Sequence, residues 1–258
     1  MRVVLFALAI GATGARAEDG PNWLQSQLAA AEWREAAPGI ERLAIPAALE
    51  GEFAAYRLAM AKITARVLAP LRPGGSTVAD LAKASGSILA VNGGFFWIKP
   101  DGALAPTGLL IVDGVKLAAM KACRACTGVL FADAEGLDIV RPARFRAKRG
   151  IESALQVGPM LIEQGREMTF KSDGPAAPRT AVCIAGDTVI VVVAVRPMTL
   201  HGLAALLAAK HSDGGFDCPQ AINLDGGSSS QLAADIGGAS DRLGYPVRVQ
   251  NALAFFPR

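Results

Sequence analysis

Residues 180–195 read TAVCIAGDTVIVVVAV. Two apolar runs, 180–185 and 188–195, flank Gly186-Asp187. Valine, isoleucine and threonine dominate both runs, and β-branched side chains fit a pleated surface. A Gly-Asp pair between two such runs reads as the tight turn of an antiparallel hairpin. The second run, eight residues from Thr188 to Val195, is far short of the roughly 20 apolar residues needed to span a bilayer. It reads as a buried strand.

The same pattern of short strands and turn residues extends on both sides. Strands are expected at 87–91, at 108–112 before a turn at Asp113-Gly114, at 127–132 and at 137–140. Another is expected at 155–162, with Gly158-Pro159 inside it, and a loop over 165–178. Residues 53–68 divide into two strand-like stretches, and 246–256 form a last strand. Helical signals are fewer. Residues 21–37 are rich in Ala, Leu, Gln and Glu, with Trp23, Leu24, Leu28 and Ala31 at helical spacing, and Pro38-Gly39 as the stop. Thr77 and Asp80 form a capping signal for a short helix through Ala84. Thr199 caps a helix over 199–210, with Gly214-Gly215 beyond its end. Many short strands without a βαβ alternation predict an α+β fold, with mostly antiparallel sheets packed around a few helices.

The first 17 residues, MRVVLFALAIGATGARA, have a basic start at Arg2, an apolar run and a closing Ala15-Arg16-Ala17. That is the pattern of a secretory signal peptide cleaved after Ala17. Removal leaves roughly 240 residues, enough for one large domain or two small ones. No linker divides them, so a single domain is expected, with no transmembrane segment. Of the formal net charge of +3, two charges belong to Arg2 and Arg16, so no net basic field remains to attract nucleic acid. The cluster RPARFRAKRG, 141–150, is local and reads as a solvated strand and loop or as a contact for an anionic partner. Four cysteines in an exported chain suggest disulfides. The simplest pairing joins Cys123 to Cys126 and Cys183 to Cys218. The alternatives are a redox or metal half-site at Cys123-x-x-Cys126, or two free thiols. A zinc site there would need two more ligands, for which only His201 and His211 exist, and no metal or other cofactor is indicated.

Two stretches share one pattern: AVNGGFF, 90–96, and INLDGGSS, 222–229. In each an apolar strand ends on Asn or Asp followed by Gly-Gly, which hints at two pseudo-repeated halves. Asn and glycine both tolerate a left-handed backbone, and glycines let the main chain approach a ligand closely. Asp225 ends its strand where a rigid base meets a loop. The N–H groups after it, with the hydroxyls of Ser228, Ser229 and Ser230, suit a phosphate or sugar oxygen. Arg179, at a strand mouth, suits a bidentate grip on phosphate. There is no G-x-S-x-G elbow, no recognisable histidine triad and no P-loop.

Five stretches fall in one order: NGGFF (92–96), QVGPMLI (156–162), PRTAV (178–182), TLHGLAALL (199–207) and AINLDGGSSS (221–230). Together they resemble the phosphodiester glycosidase family, which has lysosomal and bacterial exported members. The resemblance runs from about Phe53 to the closing VRVQNALAFF. The layout is then a signal peptide at 1–17, an N-terminal helical extension at 18–52 and a phosphodiester glycosidase-like domain at 53–258. The family pattern carries a third glycine where this chain has Ser228. The resemblance implies strongly curved antiparallel sheets and a single cleft, and signal-peptide cleavage near Ala17 implies a periplasmic or secreted location. The substrate it implies is a sugar phosphate or glycan, cut at the anomeric C–O bond of a sugar-1-phosphodiester. Asp225, Asn92 and Arg179 become the catalytic candidates. Gly93, Gly94, Thr180, Gly226, Gly227, Ser228 and Ser229 become the substrate-binding candidates. Two other readings remain at this level: an envelope glycan-binding protein without catalysis, acting in polysaccharide biosynthesis or remodelling, and a metal-dependent phosphodiesterase.

Overall fold

The computed structural model describes residues 21–70, 72–147, 150–170 and 174–258. The expected signal peptide lies outside the described residues. The strands form one eight-stranded, two five-stranded and one two-stranded sheet. Neighbouring strands pair antiparallel throughout, as the turn-punctuated sequence predicts. The fold is α+β.

The large sheet runs in the order Glu32–Ala37, Ile40–Ala44, Phe53–Ala59, Thr188–Met198, Ala177–Ala185, Gln220–Asn223, Met160–Glu163, Arg166–Glu167. Thr188–Met198 lies at its centre and is buried on both faces, which explains its unbroken apolar run. Val189, Val191 and Val193 face a central core shared with both five-stranded sheets, including Leu89, Val91 and Phe255 from one and Leu110, Leu130 and Leu155 from the other. Ile190, Val192 and Ala194 face the opposite side, against Leu203, Leu206 and Leu207 of the helix Leu200–Ala208 and Leu24 and Leu28 of the helix Pro21–Leu28. Among the described residues no helix is long and apolar enough to cross a membrane.

One five-stranded sheet orders Gly136–Val140, Gly128–Asp133, Ser153–Val157, Leu110–Val112 and Val115–Ala118. The other orders Ala239–Leu243, Leu232–Ile236, Leu89–Asn92, Ala252–Pro257 and Ile63–Leu68. On its outer face the helix Val78–Ser85 packs Val78, Leu81 and Ala82 against Ala90, Ala233, Ala252 and Ala254. Small side chains on the sheet let that helix approach closely. Thr77 caps it as expected, its hydroxyl accepting from the Asp80 N–H at 3.1 Å.

Two expectations are corrected. The helix expected over 21–37 stops at Leu28, and Glu32–Ala37 is a strand paired with Ile40–Ala44. Among the described residues of the 18–52 extension, therefore, only Pro21–Leu28 is α-helix. Pro38-Gly39 is the hairpin turn, with Gly39 at φ +75°. Helix propensity loses here to a sheet edge and to Trp33, which packs on Phe216 with ring centroids 6.1 Å apart and lies under the Arg57 guanidinium. The single strand expected over 155–162 is two strands in different sheets, Ser153–Val157 and Met160–Glu163. Gly158, at φ +153°, turns the chain between them, and Pro159 has no N–H to continue a ladder. The cysteines pair Cys123 with Cys126 and Cys183 with Cys218.

Candidate functional site

The two Gly-Gly motifs end strands of different sheets, Leu89–Asn92 and Gln220–Asn223, and those ends meet. The Asp225 N–H donates to the Gly93 carbonyl at 2.9 Å. The Asn92 side-chain amide donates to the Asp225 carbonyl at 2.6 Å. The Asn92 Oδ1 accepts from the Thr180 hydroxyl at 2.7 Å and from the Gln231 N–H at 3.1 Å. Asn92 and Thr180 are fully buried. Their polar atoms are thus spent on holding three segments together, and a buried amide left unpaired would cost about 1–3 kcal/mol.

Gly93 and Gly94 lie in the same interior. Their N–H groups go to the Asn251 carbonyl at 3.0 Å and the Asn251 Oδ1 at 2.6 Å. A Cβ on Gly93 would stand 2.0 Å from that oxygen, so the position admits no side chain. These two glycines therefore serve close packing, and their donors do not face a ligand.

The accessible part of the cluster begins at Asp225, which is half-buried. Its Oδ1 accepts the Gly226 N–H at 2.9 Å, and the Ser229 hydroxyl is its other hydrogen-bonding neighbour. Burial raises the carboxyl pKa above its ordinary value, and these two donors partly offset the rise. Gly226 has no room for a side chain, since a Cβ would stand 2.9 Å from the Pro178 carbonyl. The same point lies 3.7 Å from a terminal nitrogen of Arg179, which brings the guanidinium against the Gly226-Gly227 turn. The Arg179 Nε donates to the Met198 carbonyl at 3.0 Å, fixing the side chain's direction.

Gly227–Ser229 is a short 3-10 turn, and Gly227 takes φ +62°. Ser228 is exposed and keeps an ordinary negative φ, so a serine fits where the family pattern has glycine. No acceptor among the described residues takes the N–H of Gly227 or Ser228. Asp225, Gly227 and Ser228 are thus the accessible part of the cluster, with the partly buried Arg179 beside the turn, while Asn92, Thr180, Gly93 and Gly94 are buried. Ser229 is buried between the two layers.

Several participants were not predicted from the sequence. Asn251, Gln231 and Asn223 are all buried. Gln231 donates through its side-chain amide to the Val247 carbonyl at 2.9 Å. The Asn223 amide donates to the Gly158 carbonyl at 3.0 Å and ties in the turn between sheets. The Asn223 Oδ1 and the Ser230 hydroxyl are buried without a partner among the described residues. Asn223, flanked by Ile222 and Leu224, interrupts an apolar run, and Gln231 and Asn251 each stand at the head of one, a position where a buried polar group needs a partner. The described part of the basic cluster, 141–147, lies elsewhere. Arg141 is paired with Glu163, its Nε 2.8 Å from the carboxylate, beside a cavity of ≈ 380 Å³ that also meets Arg144 and Gln220. Gln220 is at the opposite end of its strand from Asp225.

Solved structures share this architecture. The catalytic domain of zebrafish N-acetylglucosamine-1-phosphodiester alpha-N-acetylglucosaminidase, auto-inhibited by its pro-peptide, superposes with a TM-score of 0.60 at 17% identity, covering 80% of this chain and 77% of that one. A Synechocystis protein gives 0.57 at 17% identity, over 88% of this chain and 64% of its own. An exported protein of Burkholderia pseudomallei gives 0.52 at 17% identity, over 84% and 74%. No curated protein sequence matches the chain. At that identity the superpositions establish the fold, and the sequence model of one family supplies the rest. It matches residues 85–256, a span that contains both Gly-Gly motifs, Arg179 and the closing Asn251 strand, and on that match the chain belongs to the phosphodiester glycosidase family.

Proposed function

We propose that the protein hydrolyses a sugar-1-phosphodiester at the anomeric C–O bond. The observation that carries this reading is the partly buried carboxylate of Asp225 at the head of the Gly226-Gly227 turn, with Arg179 packed against that turn and the N–H groups of Gly227 and Ser228 without an acceptor among the described residues. Glycoside cleavage passes through an oxocarbenium-like state, and most glycosidases use a second carboxylic acid to protonate the leaving oxygen. A departing phosphate monoester is already a good leaving group. What it needs is a positive clamp, which Arg179 and the two N–H donors supply. Water attacks the anomeric carbon, the bond from that carbon to the phosphate oxygen breaks, and the water proton passes to Asp225. Asn92 and Thr180 act as positioning residues, since neither can touch substrate.

We further infer export, with cleavage after Ala17. Two disulfides and an exported relative of the same fold support it. The substrate is then an envelope or extracellular glycoconjugate.

Hydrolysis of a sugar-1-phosphodiester in heavy-oxygen water tests the reaction. The label is expected in the sugar. Label in the phosphate would mean P–O cleavage and overturn the assignment. Saccharide binding without turnover across a panel of such diesters would make the protein a glycan binder.

A further inference from the structure

The large apolar side chains that stand exposed are not scattered over the surface. Trp97 (49% exposed) and Ile98 (68%) belong to the hairpin Phe96–Ile98/Leu104–Pro106. Val115 (59%) and Leu117 (54%) belong to Val115–Ala118, an edge strand, and Met120 (38%) follows it. Only Tyr245, among the described large hydrophobics with such exposure, lies outside these two segments.

The two segments are held together at one side chain. Thr107 donates its N–H to the Phe95 carbonyl and closes the base of the hairpin. Two residues on, the Leu109 N–H donates to the Gln156 Oε1 at 3.1 Å. The same oxygen accepts the Lys121 N–H at 3.0 Å, and the Gln156 amide donates back to the Lys121 carbonyl at 2.7 Å. A buried glutamine thus pins the foot of the hairpin to the chain leaving the edge strand.

Cations are interleaved with the apolar groups. Lys99, Lys116, Lys121 and Arg124 are exposed, and none has an ion-pair partner among the described residues. The acids in the same stretch are Asp101 and Asp113. Asp113 is neutralised by Arg66, and Asp101 accepts the Ala103 N–H. The surface therefore combines a tryptophan, aliphatic tips and unpaired cations, the composition of a membrane–water interface binder. Exposed apolar side chains concentrated on two linked segments mark an interaction site, and the positive charge among them selects an anionic partner.

We propose that this face docks the protein on an anionic lipid bilayer. Trp97, Ile98, Val115, Leu117 and Met120 enter the headgroup region, while Lys99, Lys116, Lys121 and Arg124 meet lipid phosphates. The hairpin leaves the chain directly after Gly93-Gly94. Docking therefore holds the Asp225 surface close to the bilayer, where it would meet a sugar phosphodiester with a lipid aglycone. That last clause rests on the proposed reaction, but the docking itself does not.

Co-sedimentation with vesicles of equal parts phosphatidylglycerol and phosphatidylcholine, free of any sugar substrate, is the test. Wild-type protein is expected to sediment with these vesicles, weakly with pure phosphatidylcholine, and to be released by added salt. Replacing Lys99 and Lys116 together with serine should weaken partitioning about thirtyfold, from roughly fivefold per lysine. The pair Ile98→Ser and Leu117→Ser should abolish sedimentation and leave the melting temperature unchanged, since both side chains are exposed. Wild-type protein that stays in the supernatant would overturn the proposal, as would either double variant binding like wild type. So would a dimer in solution that the Ile98→Ser/Leu117→Ser pair dissolves, because the face would then cover a second copy. Since no step involves hydrolysis, failure here leaves the proposed reaction standing, and failure of that reaction leaves the docking intact.

Discussion

Asn92 donates its side-chain amide to the main-chain carbonyl of Asp225 at 2.6 Å, across 133 positions of sequence. The buried residue that orders the cluster is therefore distinct from Asp225, to which the proposed reaction assigns contact with substrate. Asn92→Ala would strand the Thr180 hydroxyl, the Gln231 N–H and the Asp225 carbonyl in the interior. We expect a loss of about 3–5 kcal/mol, from the usual cost of unpaired buried groups. At roughly 2–4 °C per kcal/mol, calorimetry should show the melting temperature falling by about 6–20 °C.

Asp225→Asn should separate activity from stability. The asparagine Oδ1 can still accept from Gly226 and Ser229, so the fold is expected to persist, while turnover falls at least about a hundredfold. Burial raises the Asp225 pKa above its ordinary value of 3.8 in the folded protein. The folded state then holds its proton to higher pH than the unfolded chain, and stability contributed by this group declines as pH rises between the two pKa values. Above that window the ionised carboxylate is a cost. Asp225→Asn removes it, so the variant should melt no lower than wild type at neutral pH. The difference should shrink to nothing as pH falls below both values. Thermal melts across that range check the sign, and kcat on a sugar-1-phosphodiester checks the activity.

Two glycines of the paired motifs, Gly93 and Gly227, should respond differently to alanine. At Gly93 a Cβ collides with Asn251 and displaces the acceptor of the Gly94 N–H. We expect about 3 kcal/mol or more from crowding and the lost bond. At Gly227 there is open space, and only the positive φ resists. Gly227→Ala should cost about 1–2 kcal/mol. Urea midpoints with unchanged slopes would establish the order.

The disulfides should differ in worth. Cys183–Cys218 closes a separation of 35 residues and ties Ala177–Ala185 to the segment entering Gln220–Asn223. Loop-closure entropy assigns it about 3–4 kcal/mol, against about 1.5 kcal/mol for the three-residue separation of Cys123–Cys126. Paired Cys→Ala variants, compared by chemical denaturation, should rank in that order.

The strands and caps whose signals are local were legible in the sequence. Thr188–Met198 announces itself because a strand buried on both faces needs no polar alternation, and Thr77 and Thr199 cap their helices through contacts three residues away. The strand Glu32–Ala37 was not legible. Its residues favour helix, and only the pairing with Ile40–Ala44 and the Trp33–Phe216 contact make it a strand. The break at Gly158 was likewise hidden, because the choice to enter a second sheet depends on partners that only the folded chain presents.

The candidate site divides along the same line. The residue types and their order determined that Asn92-Gly93-Gly94 and Asp225-Gly226-Gly227 end strands on polar, glycine-bearing turns. Which of them faces solvent was decided by tertiary structure alone. Hydrogen bonds among residues 92, 180, 225, 231 and 251 close one layer, in which both side-chain polar atoms of Asn92 have protein partners. Asp225 and Arg179 remain at its surface. Sequence carries the side chains' chemistry, but whether an amide binds a ligand or a neighbouring strand depends on what the fold brings within about 3 Å of it.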